Sequence, residues 1–177
     1  MKKYIPLVLT VVVLLAGLTA CNSSKNNDTD LASTDESPKI DITNMAAEEI
    51  VNAFKDAGFP IDNVLVYDEE TDPNALLGRP NQYISKVNFA DTRIEQWDDE
   101  ENPVGGSVEV FENTADAEAR YEYINALSSS SSMFVQYLYL YKNVFLRIDK
   151  DLTPDQAAAY ESGFEALQSG ELPVFSE

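Results

Sequence analysis

From Thr43 onward, apolar residues repeat with two alternating periods. In "TNMAAEEIVNAFKDAGFP", Ile50, Val51, Phe54 and Ala57 recur at helical spacing, and Glu48 and Glu49 suit the positive end of a helix. Gly58 stands where a left-handed C′ residue belongs, which places Phe59 against Phe54 in a Schellman stop. A period of two follows in "NVLVY" (63–67), in "ISKVNFADTRIEQW" as one or two strands, and in "SVEVF" (107–111). A second helix opens at Asn113 or Thr114 with Ala117, Tyr121, Ile124 and Leu127 inward, and serines 128–132 read as a loop. "MFVQYLYLYKNVFLRI" predicts a hairpin turning at Lys142-Asn143. "TPDQAAAYESGFEAL" starts a third helix, with Thr153 as N-cap, Pro154 at N1 and Gln156 at N3. The order α-βββ(β)-α-ββ-α predicts an α+β domain over 43–177: an antiparallel β-sheet with helices packed on one face.

The first twenty residues follow neither period. Lys2 and Lys3 precede "PLVLTVVVLLAGL", an uncharged apolar run followed by the polar "CNSSKNNDTD". That is the layout of a signal peptide, because a stop-transfer helix would be followed by Lys and Arg. Leu18-Thr19-Ala20-Cys21 resembles the lipobox of bacterial lipoproteins, in which the thiol accepts a diacylglyceryl group. The resemblance makes residues 1–20 a signal peptide and Cys21 the lipidated, palmitate-type anchor of the mature chain. Two acyl chains hold a protein stably, since each buried methylene contributes roughly 0.8 kcal/mol. Residues 22–42, rich in Asn, Ser, Asp and Thr, read as a disordered tether. Such a coil spans roughly 25 Å on average. The expected location is the extracytoplasmic face of the cell membrane.

Composition then narrows the chemistry. The chain has one cysteine and no histidine. With Cys21 acylated, neither a nucleophilic thiol nor a His-dependent triad is available, and nearly every zinc or copper site is excluded. Twelve basic against 31 acidic residues give a net charge of −19, which becomes −21 once Lys2 and Lys3 leave with the signal. Nucleic acid is an implausible partner for such a chain, since phosphates demand clustered Lys and Arg.

Three constellations merit weighing. In "DPNALLGRPNQY" (72–83), Arg79, Asn81, Gln82 and Tyr83 supply donors and an aromatic face on a long loop, a candidate binding surface. A compact connection, with Leu76 and Leu77 plugging the core and Arg79 paired to a carboxylate, competes with it. Strand alternation puts Tyr137, Tyr139 and Tyr141 on one face, a candidate stacking platform if the leucine face meets the helices. The competing expectation has both faces covered, the tyrosines by the 72–83 loop. The acidic runs Asp68–Asp72 and Asp98–Glu101 lack the EF-hand pattern and read as solvated loops with no metal assigned; a weak calcium site near Asp98 is the alternative.

"DPNALLGRPNQYISKVNFAD", "GGSVEVFENTADAEARYEYI" and "NVFLRIDKDLTPDQAAAYE", together with the lipobox, resemble a group of uncharacterised surface lipoproteins from Gram-positive bacteria. The resemblance implies an envelope location and carries no catalytic residue or cofactor. The expectation is a non-enzymatic binding or accessory module with an envelope protein or wall fragment as partner. The alternative is a carboxylate-dependent hydrolase of wall glycan. A hydrolase needs two carboxylates in a cleft, one with a raised pKa, whereas a binding module needs an exposed apolar or aromatic patch.

Overall fold

Helix α1 (Ala47–Asp56) is closed at both ends by identifiable bonds. The Glu49 carboxylate accepts from Ala46 N–H at 2.7 Å, and Ala47 N–H donates to Ser85 Oγ on a neighbouring strand at 3.0 Å. At the other end Gly58 has φ +90°, Phe59 N–H reaches Phe54 O, and Gly58 N–H reaches Lys55 O. These two bonds define the expected Schellman stop, and the Phe54 and Phe59 rings meet edge-on at 4.9 Å. The computed structural model describes residues 40–95 and 101–176. The signal peptide, Cys21, most of the tether and the run Asp98–Glu100 lie outside the described residues.

Five strands form one antiparallel sheet in the order β1-β2-β3-β5-β4: β1 (Ile61–Val66), β2 (Tyr83–Asp91), β3 (Gly105–Phe111), β4 (Gln136–Tyr141) and β5 (Val144–Asp149). "ISKVNFADTRIEQW" thus gives one strand, which leaves the sheet after Asp91. The register of β1 shifts between Asp62 and Val64, whereas β4 pairs with β5 without interruption from Gln136 to Tyr141. The hairpin turns at Lys142-Asn143 as expected, with Lys142 in the left-handed region at φ +49°.

The α+β class and the order of elements follow the expectation, but the helices occupy both faces of the sheet. Val87, Phe89, Val108, Val144 and Leu146 meet α1 and α3 (Pro154–Ser169) on one face. On the other, Phe111 and Phe145 meet Ala117 and Ile124 of α2 (Thr114–Ser130). The one-sided expectation fails because β3 and β5 are apolar on both sides: Val110 and Leu146 point one way, Phe111 and Phe145 the other. A strand buried on both faces needs a cover on each.

Two boundaries also move. Ile42, assigned to the tether, is fully buried in a 3-10 turn (Ile42–Asn44) capped by Asp41. Ser128 to Ser130, assigned to a loop, form the last turn of α2. Ser129 and Ser130 hydroxyls donate back to the carbonyls of Asn125 and Leu127, which lets helical backbone continue through residues that otherwise favour turns.

Candidate functional site

The loop from 72 to 82 is wound around one buried carboxylate. Asp72 Oδ2 accepts from Leu76 N–H (2.9 Å), Leu77 N–H (3.1 Å) and Tyr83 Oη (2.7 Å), while Oδ1 accepts from Lys86 Nζ (2.7 Å). Ala75, Gly78 and Asn81 take positive φ to close the coil. A left-handed alanine costs about 1 kcal/mol, which the bonds to Asp72 offset. Burial pushes the Asp72 carboxyl up, but Lys86, Tyr83 and the two backbone donors outweigh it and hold the group far below the ordinary carboxylate range. The same contact, after burial itself, drives the Tyr83 hydroxyl well above its usual value. Asp72 was expected in a solvated acidic run; instead it is 5% exposed and organises the loop.

Beside it, Glu109 on β3 is fully buried between two guanidinium groups. Arg120 of α2 donates through Nε and Nη2 at 3.0 and 3.2 Å, and Arg147 of β5 donates through Nη2 at 3.0 Å. Arg147 Nε also donates to Ser107 Oγ at 2.9 Å, so Arg147 bridges two residues of β3. Burial disfavours the Arg120 cation, yet the Glu109 carboxylate more than compensates and raises its pKa. Arg120 is packed between the rings of Tyr83 (5.8 Å) and Tyr123 (5.7 Å). Lys86 lies 4.6 Å from the Tyr67 ring centroid.

These charges floor a groove of about 700 Å³ between the loop and α2. Its walls are amide-rich on the loop side, with Asn74, Asn81 and Gln82, and apolar on the helix side, with Tyr123, Ile124 and Leu127. An adjoining hollow of about 280 Å³ shares Pro73, Asn88 and Arg147 with it. Asn88 donates to Tyr67 Oη at 3.1 Å, while its buried Oδ1 has no partner among the described residues. Tyr123 is 57% exposed, and the 3-10 turn Ser132–Phe134, fastened to α2 through Ser128 Oγ, exposes Met133 by 76%.

The four loop residues singled out from sequence separate here. Asn81 and Gln82 line the groove; Arg79 is exposed, stands off the lining and pairs with no carboxylate among the described residues. Tyr83 is fully buried beneath the floor, so it presents no aromatic face. The tyrosine row is not an open platform. Tyr137, Tyr139 and Tyr141 are half-buried on the face that meets α3. Tyr137 Oη donates to Leu152 O at 3.2 Å and Tyr139 Oη to Ala157 O at 3.3 Å. Burial pushes the Tyr139 hydroxyl up to about 12. The loop does not cover this row; it lies on the opposite face, over Tyr83 and beside Leu138 and Leu140.

Sequence reasoning missed Asp72, Lys86, Glu109, Arg120 and Arg147. A signal for Glu109 was present: it shares its side of the strand with Phe111, and a large aromatic beside an acid on one face points to a covered face. Among the described residues, no group of three or more Cys, Asp or Glu is placed to hold a metal ion, and no helix is long and apolar enough to cross a membrane. Compared with protein-family models, curated proteins and solved structures, the chain finds no match in any of the three.

Proposed function

We propose that the chain is a lipid-anchored, extracytoplasmic binding module. Cys21 carries the diacylglyceryl anchor, the segment after it spaces the domain from the membrane, and the groove between the 72–83 loop and α2 takes an envelope partner. The observation that carries this reading is the groove's lining. Amides, apolar side chains and guanidinium groups line the open space with one rim carboxylate, Asp116, while the carboxylates of Asp72 and Glu109 are locked in ion pairs beneath. A glycan hydrolase would need a carboxyl poised to give up a proton. Asp72 is displaced in the opposite direction, towards permanent ionisation.

The test is photo-cross-linking in cells from position 123 or 82, with position 84 on another part of the surface as reference. Capture of one envelope protein from the first two positions alone is the expected result. Equal capture from all three, or a mature protein whose Cys21 carries no lipid by mass spectrometry, would overturn the reading.

A further inference from the structure

The groove gathers cations in a molecule that is strongly acidic. Of the 12 Lys and Arg, Lys2, Lys3, Lys25 and Lys39 precede the described domain, which leaves eight. Three of those eight, Lys86, Arg120 and Arg147, line one groove, whose lining includes a single carboxylate, Asp116. Lys86 is balanced by Asp72, but Glu109 balances only one of the two arginines. The floor therefore holds three cations over two buried carboxylates, and the third carboxylate, Asp116, stands at the rim bonded to Asn113.

It also keeps unused donors. A guanidinium has five N–H groups in a planar fork. Arg120 spends Nε and Nη2, and Arg147 likewise spends Nε and Nη2, so neither Nη1 has a protein partner among the described residues. The two forks converge on one oxygen, Glu109 Oε1, at 3.2 and 3.0 Å.

We propose that this groove binds a peptide α-carboxylate. The single charge of the ligand is matched to a floor where two guanidinium groups share one carboxylate. Asp116, held at the rim by Asn113 Nδ2 (2.7 Å), and the acidic domain around it disfavour anything more highly charged. The body of the ligand is matched to the walls: Asn81 and Gln82 suit peptide N–H and C=O groups, the orphaned Asn88 Oδ1 offers an acceptor, and Tyr123 and Leu127 suit an apolar side chain. The proposal rests on the reading of the groove as the binding surface and adds the class of ligand.

The test is calorimetric titration of the full-length protein in detergent micelles with N-acetyl-Ala-Leu and with its C-terminal amide. The free acid is expected to bind at least tenfold more tightly, and added salt to narrow the gap. Arg147→Gln is expected to abolish the difference between acid and amide. Tyr123→Ala, which leaves the buried pairs intact, is expected to weaken both ligands several-fold and keeps the test decisive if Arg147→Gln fails to fold. A twelve-residue peptide with the same two terminal residues distinguishes the source: tighter binding identifies a protein tail, equal binding a short fragment. Equal binding of acid and amide, or no binding of either while positions 82 and 123 still cross-link a partner, overturns the ligand class and leaves the binding surface standing. No binding and no cross-link overturns both.

Discussion

The Tyr160 hydroxyl donates to Asp91 Oδ2 at 2.7 Å with both side chains fully buried, which ties α3 to the end of β2. Arg93 completes the arrangement by chelating the same carboxylate through Nε (2.9 Å) and Nη2 (2.7 Å). A hydrogen bond to a charged acceptor contributes about 1.5–3 kcal/mol. Tyr160→Phe keeps the ring packing against Phe59 and Phe89 and removes only that bond. Urea unfolding should show a loss of about 2 kcal/mol, most of it as a lower midpoint at constant slope.

Asp72 makes stability depend on acid. Its pKa is lower in the folded chain than the ordinary 3.8, so the unfolded state binds the proton more readily. The stabilisation is therefore complete well above 3.8 and is lost as pH falls through that value towards the folded one. The difference in urea midpoint between wild type and Asp72→Asn is expected to be largest at neutral pH. It should shrink steadily below about pH 5. A difference independent of pH would show that the carboxylate's charge is not what stabilises the loop.

Glu109 separates two neighbouring cations. Glu109→Gln leaves Arg120 and Arg147 facing one another in a largely dry site, and breaking one partner from such a buried cluster costs about 3–5 kcal/mol. Thermal unfolding of this variant is expected well below wild type, with little recovery in added salt, since charges in a dry site are poorly screened. Lys150→Gln, which removes an exposed cation from the surface, serves as the reference and should leave the unfolding temperature close to wild type.

Much of the fold was legible because its signals are local. Gly58 and Phe59, the Lys142-Asn143 turn, and Thr153 with Gln156 each act within a few residues, and each behaves as its type requires. The groove was not legible, because its members are brought together by pairing between distant segments. Asp72 and Lys86 are 14 residues apart, and Glu109 and Arg147 are 38 apart. Taken singly, each is a charged side chain that belongs in water. Asn81 and Gln82 were recognised as loop donors, but the neighbouring Tyr83 and Arg79 go to the core and to solvent respectively. Alternation told the two sides of β4 apart without telling which side each helix would cover.

Gly163 of α3 lies close against Phe54 of α1 and the neighbouring Phe59. A Cβ there would lie 2.7 Å from the Phe54 ring and 2.9 Å from the Phe59 ring. Alanine improves helix propensity by about 1 kcal/mol, but overpacking a fixed aromatic cluster costs about 1–3 kcal/mol. The clash should win, because both rings are pinned by the Schellman stop and by Tyr160. Gly163→Ala is thus expected to unfold at lower urea than wild type; an increase would mean that the rings can yield.

The two borders of the sheet are built differently. The register shift at Asp62–Val64 twists β1 away from a straight course, while β4 offers six uninterrupted residues, "QYLYLY", without a charge or a proline. A straight, neutral border strand is a template on which another chain can add itself. As the domain opens, molecules at high concentration will meet along β4 first. Conditions that loosen α2 or α3 should therefore favour aggregation over refolding, and dilution should restore the monomer's path back.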